Sequence, residues 1–176
     1  MLSGEPAKMA FAHEGNKTTS FTNMKIDPQK IHDPLNPQFI MTDNLFQIQD
    51  KNFWNNIDER HKETGGVYKL IAFKDGQRMP VNRFLNRDED GVLYIGKATS
   101  FVDRVTVLKK SIAPDYKGKG HDCGIRYKKY KEIAIMVPYD NLYIELVPSD
   151  SPKERERVLL EEYLEKYGEL PPFNAF

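Results

Sequence analysis

One cysteine, Cys123, stands in 176 residues. That excludes an internal disulfide and any zinc site built on cysteines, and it suits a reducing compartment. Long apolar runs are missing too: IAIMV at 133–137 is far too short to cross a bilayer, and the opening MLSGEPAKMAFAHEG has no apolar stretch of signal-peptide length. A cytoplasmic protein with no membrane partner is expected. There is no net charge, with 26 Lys and Arg against 26 Asp and Glu, so the whole-chain balance says nothing about nucleic acid. No internal repeat is present, and no glycine-rich loop of P-loop form.

The charge is instead segregated. From 97 to 131 ten bases face three acids, whereas from 139 to 176 nine acids face four bases. The first stretch is a basic segment of the kind that tracks phosphates, with Lys109, Lys110, Lys117, Lys119, Arg126, Lys128 and Lys129 as candidate DNA contacts. A solvated surface face has the same composition.

Residues 1 to about 45 are rich in Asn, Thr, Pro, Asp and Gln without a sustained period, which predicts an irregular N-terminal arm. A short helix is expected in 46–62, docking through Phe46, Phe53, Trp54 and Ile57. From 64 the pattern changes. GGVYKLIAF reads as a strand of mostly buried character, with Val67, Lys69, Ile71 and Phe73 facing one way and Tyr68, Leu70 and Ala72 the other. A polar loop over 74–91 leads to a second strand VLYIG, and the pair reads as an antiparallel hairpin with an enlarged connection. Ser100 with Asp103 opens a helix whose Phe101, Val105, Leu108 and Ile112 recur at helical spacing. IRYKKYKEIAIM reads as a second helix, although IAIMV also suits a strand, and NLYIELV alternates as a third strand. The final helix runs from Ser151 to Gly168. The fold class predicted is α+β: a small three-stranded antiparallel sheet flanked by helices, in the order β-β-α-α-β-α. The division is an arm with its short helix over 1–63, open to DNA or partner contacts, and a compact domain over 64–176.

The final helix carries the first chemical clue. At about 100° per residue, Leu159, Leu160, Tyr163, Leu164 and Tyr167 share one apolar face, and Glu156 heads it. A carboxylate in line with a core stripe is paired, protonated or bound to a metal, because an isolated buried charge is costly. The alternative is a helix-start glutamate that turns to water.

GGVY at 65–68, YIGKATSFVDRV at 94–105, the ERERVLL helix and the terminal LPPFN together resemble the GIY-YIG nuclease superfamily, over about residues 64–176. The interval of ten from Tyr94 to Arg104 is similar to that of its excision-repair members. Valine stands where the family has isoleucine, the hairpin loop is longer than usual, and Glu156 lies further from Asn174 than is common. The resemblance implies a tyrosine pair, Tyr68 and Tyr94, flanking a reacting phosphate that Arg104 contacts and Lys97 assists. It also implies Glu156 as the sole protein ligand of Mg²⁺ or Mn²⁺, a role for Asn174, and His121 as the only candidate for the histidine that follows the arginine helix. A tyrosine hydroxyl whose pKa is lowered by nearby cations would take a proton from water. Sliding the register would put Glu161 in place of Glu156, but Glu161 lies about 140° around the helix from Glu156.

The function expected is a divalent-metal-dependent DNA endonuclease, either restriction-type, with a possible homodimer, or structure-specific. The alternative is a catalytically inactive nucleic-acid-binding or interaction module with the same fold.

Overall fold

The computed structural model describes residues 44–118 and 120–175. The expected arm up to residue 43, and Lys119, lie outside the described residues. The elements are β1 (Leu45–Gln47), α1 (Phe53–His61), β2 (Gly66–Lys74), β3 (Gln77–Arg78), β4 (Val81–Asn82), β5 (Arg87–Asp88), β6 (Val92–Ala98), α2 (Phe101–Ile112), α3 (Asp122–Lys129), α4 (Lys131–Met136), β7 (Leu142–Pro148) and α5 (Pro152–Tyr167). β1 and α1, which fall in the stretch expected as arm and short helix, belong to the same compact unit as the rest of the described chain.

The protein is α+β, but its main sheet has five strands rather than three. β2 is central, with β7 on one side and β6 on the other, all antiparallel, which is the trio that alternation predicts. Two short strands complete it. β1 adds to the outer edge of β7, pairing Phe46 with Ile144, and β3 folds back on the end of β2 through Asp75 and Gly76. Both turn residues have positive φ, 51° and 77°, the conformation of a two-residue hairpin whose twist matches the strands. β4 and β5 pair with each other inside the 74–91 connection.

The alternation of β2 separates two layers. Tyr68, Leu70 and Ala72 pack with Phe101, Val105, Leu108 and Ile112 of α2, together with α1 and α3. Val67 joins Val92 and Ile95 of β6 under Tyr163 and Tyr167 of α5. Burying each large apolar side chain of α2 contributes about 1.5–3 kcal/mol, so this stripe fixes α2 against the sheet. The Ser100 hydroxyl accepts from the Asp103 amide at the start of α2. The single helix expected over 125–136 is instead two. Tyr130 leaves helical geometry (φ −94°, ψ 78°), and the Tyr127 hydroxyl donates to the Val137 carbonyl (2.8 Å), tying α3 to the end of α4. IAIM is helical within α4. Among the described residues no helix is long and apolar enough to cross a membrane.

Candidate active site

β6 lies where the two layers meet. Tyr94 packs with the α2 layer and Ile95 with the α5 layer, so side chains from both helices can reach the same strand. The edge of β6 away from β2 pairs with no other strand among the described residues, and the C-terminal tail covers part of it. The Phe173 amide donates to the Leu93 carbonyl (2.9 Å). Asn174 then imitates a strand: its Oδ1 accepts from the Ile95 amide (2.9 Å) and its Nδ2 donates to the Ile95 carbonyl (2.8 Å). Asn174 therefore braces the strand that carries Tyr94. The next outward amide, that of Lys97, donates to Glu156 Oε1 of α5 (3.0 Å), and the Lys97 ammonium donates to Oε2 (2.5 Å).

A cleft of ≈ 730 Å³ opens at this point, lined by Tyr94 and Lys97 from β6, Asp103 and Arg104 from α2, and Lys153 and Glu156 from α5. Glu156, 17% exposed, is held within it, while Glu161 points outward and pairs with Arg157 one helical turn earlier (2.5 Å). The apolar stripe Leu159, Leu160, Tyr163 and Tyr167 faces the sheet, and Glu156 continues its line toward β6.

Behind the cleft wall Tyr68 is fully buried. Its hydroxyl lies 2.7 Å from His121 Nε2, and His121 Nδ1 accepts from the Cys123 amide (3.1 Å) as the N-cap of α3. With Nδ1 accepting, the neutral ring carries its proton on Nε2 and donates it to the Tyr68 oxygen. Burial, and secondarily Arg104, lowers the His121 pKa to about 4, so the ring is neutral at ordinary pH. His121 is thus a donor and a helix cap, with no lone pair left for a proton from water.

The two tyrosines meet over Gly96. A Cβ there would lie 2.7 Å from the Tyr68 hydroxyl oxygen and 2.5 Å from Tyr94 Cε1, which is the physical reason for glycine after Tyr-Ile. The sequence predicts a phenol pKa lowered by neighbouring cations, and the structure corrects this. Burial pushes Tyr68 far above the ordinary phenol range, Tyr94 adds to that, and Arg104 works against it without prevailing. Tyr94 is also raised, chiefly by burial and further by Cys123 and Glu156, while the Tyr68 hydroxyl and Arg104 work the other way without prevailing. The asymmetry follows from the chain of donors: His121 donates to Tyr68, so the Tyr68 proton is free to turn toward Tyr94.

The candidate DNA contacts divide. Lys110, Lys117 and Lys129 are exposed. Lys109 instead lies over the rings of Phe53 (4.2 Å) and Trp54 (5.1 Å), and burial lowers its pKa. Lys128 donates to the Tyr116 carbonyl (2.6 Å), and Arg126 donates to the Phe173 carbonyl (2.5 Å), holding the tail beside β6.

Asp88 is the residue that sequence reasoning missed. It is fully buried and accepts from Tyr163 (2.9 Å), Tyr167 (3.3 Å) and the amides of Asp90 (3.0 Å) and Val92 (2.9 Å). This carboxylate fastens the base of the 74–91 connection to α5, the helix that carries Glu156. Among the described residues no group of three or more His, Cys, Asp or Glu stands together as a metal cluster. No family model, curated protein or solved structure matches this chain.

Proposed function

We propose that this protein is a divalent-cation-dependent endodeoxyribonuclease of the GIY-YIG type, hydrolysing phosphodiester bonds. The observation that supports the reading most is the convergence of Tyr94, Lys97, Arg104 and Glu156 from β6, α2 and α5 on one cleft. These groups are a hydroxyl, an ammonium, a cationic fork and a carboxylate, the set that an in-line displacement at phosphate requires.

Glu156 would hold the cation. A single oxygen donor from the protein suits Mg²⁺ or Mn²⁺, hard ions that keep most of their waters, and it does not suit zinc, which takes three or four protein ligands. Bound there, the ion supplies Lewis-acid stabilisation of the phosphate and of the leaving oxygen.

The remaining steps belong to the chain's own side chains. Arg104 offers a planar fork to the non-bridging oxygens, a geometry that lysine cannot reproduce. Tyr94, which lines the cleft, is the proton acceptor as its phenolate, its own proton having first passed to solvent; burial opposes that ionisation, and the Tyr68 hydroxyl and Arg104 favour it. Tyr68 and His121 are positioning residues. They stand behind Tyr94 and stabilise a negative oxygen there by donating along one line.

Supercoiled plasmid incubated with the purified protein tests the reading. Nicked or linear DNA in Mg²⁺ or Mn²⁺, abolished by chelation, is expected. Discrete fragments identify a restriction-type enzyme and structure-dependent nicks a repair-type one. DNA binding without cleavage in either metal would contradict it and favour the non-catalytic module.

A further inference from the structure

We infer that the Lys97 ammonium occupies the cation's place on Glu156, and that a divalent ion displaces it into the cleft, where it meets the phosphate. The inference rests on the nuclease reading above and concerns the metal side of that site.

Lys97 commits two donors to one carboxylate. Its backbone amide takes Oε1 at 3.0 Å, and its ammonium takes Oε2 at 2.5 Å. The two contacts differ in kind. The amide belongs to β6, which Asn174 braces one step earlier at Ile95, so this contact is fixed by the fold and does not depend on the lysine side chain. The ammonium sits on a flexible four-carbon stem and is half exposed, whereas the carboxylate is 17% exposed. The mobile partner is the lysine, and the fixed partner is the glutamate.

An ammonium at hydrogen-bond distance and a divalent ion cannot both use Oε2, because like charges at contact distance repel strongly where water is partly excluded. One must leave, and only Lys97 can. The same cleft holds Arg104 and Lys153, so a released ammonium adds a third positive charge for a phosphate bound there. Cation and DNA would then reinforce each other's binding, since each favours the state with Lys97 off the carboxylate. Without the ion, the pair keeps the buried-side carboxylate neutralised and prevents it from repelling DNA.

The test is Mn²⁺ binding to the full-length, DNA-free protein by titration calorimetry, with circular dichroism to establish folding. Lys97→Gln and Lys97→Ala are both used, so that misfolding of one leaves the other informative. Each should bind Mn²⁺ about three- to tenfold more tightly than wild type, the direction expected when a partly exposed ion pair no longer competes. Glu156→Gln should not bind measurably. Measurable wild-type binding that is unchanged or weakened in both Lys97 variants overturns the exchange and leaves the cation on Glu156. Binding that survives in Glu156→Gln places the ion elsewhere and overturns both. No binding by any variant removes the cation reading itself, and the exchange with it.

Discussion

Tyr68 and His121 are joined by a 2.7 Å hydrogen bond whose direction is fixed from the far side of the imidazole, where Nδ1 already accepts the Cys123 amide. The Tyr68 proton is therefore free to turn toward Tyr94, and on the proposed nuclease reading the half-buried Tyr94, which lines the cleft, carries the proton transfer. Tyr94→Phe should lose about 10²–10⁴-fold in cleavage rate. Tyr68→Phe should lose less, about tenfold, because it removes a supporting hydrogen bond and leaves the acceptor in place. Single-turnover cleavage of both variants decides this, and a greater loss in Tyr68→Phe would transfer the role to the buried tyrosine.

His121 also has a pH signature in stability, set by its burial and secondarily by Arg104. The His121 pKa is lowered to about 4 in the folded protein, against about 6.5 in an unfolded chain. Above pH 6.5 both states are neutral there. As pH falls from 6.5 to 4 only the unfolded chain takes the proton, so stability is lost over that window and the loss levels off below it. Its full extent is roughly 3 kcal/mol. Denaturant melts across pH 4–7 should show a steeper fall for wild type than for His121→Asn, which can still cap α3 but does not titrate. Parallel slopes would place the His121 pKa near its ordinary value.

Asp88 predicts a defect of folding and not of chemistry. Asp88→Ala leaves two tyrosine hydroxyls and two amides without an acceptor and should cost about 3 kcal/mol or more. Asp88→Asn keeps the volume but gives up one acceptor oxygen, and should fall between. Urea unfolding measures both; wild-type stability in Asp88→Ala would mean that water replaces the carboxylate at no cost.

Salt dependence separates the lysines. Neutralising Lys110, Lys117 or Lys129, which are exposed, should flatten the slope of log affinity against log salt by about one unit for each phosphate left without its cation. Lys109→Gln should leave the slope alone and instead reduce stability by about 0.5–1 kcal/mol, because its ammonium no longer sits over Phe53 and Trp54. Equal slopes for all four variants would show that the segment is only a solvated face.

α2 and α5 are legible in the sequence because each buries one face and so leaves a period near 3.6, and β2 because it is a short run of β-forming apolar residues, buried on both faces. β1 and β3 are three and two residues long, too short for any period. The β3 turn does have a local signal, Asp75-Gly76, the dipeptide that favours two-residue hairpins, but it lies inside a polar stretch that reads as loop. The break at Tyr130 is spanned by a contact between Tyr127 and Val137, ten residues apart, and has no proline or glycine to mark it.

At the site, helical geometry is enough to separate Glu156 from Glu161, since it depends only on spacing along one helix. The ionisation of Tyr68 is not legible, because its burial comes from layers packed on the sheet. Asp88 is invisible for the same reason: Tyr163 and Tyr167, its partners, are 75 and 79 residues away. Lys109 reads as one more base in a basic run, and only tertiary structure sets its ammonium over two aromatic rings.

The central claim is that the cleft at Glu156 is the nuclease centre, and a paired cleavage and DNA-binding assay in Mg²⁺ tests it most directly. Glu156→Gln should abolish cleavage while binding DNA at least as tightly as wild type, since one negative charge beside the phosphate is gone. Glu161→Gln, whose carboxylate is spent on Arg157 at the surface, should cut like wild type. Cleavage by Glu156→Gln together with an inactive Glu161→Gln would contradict the account.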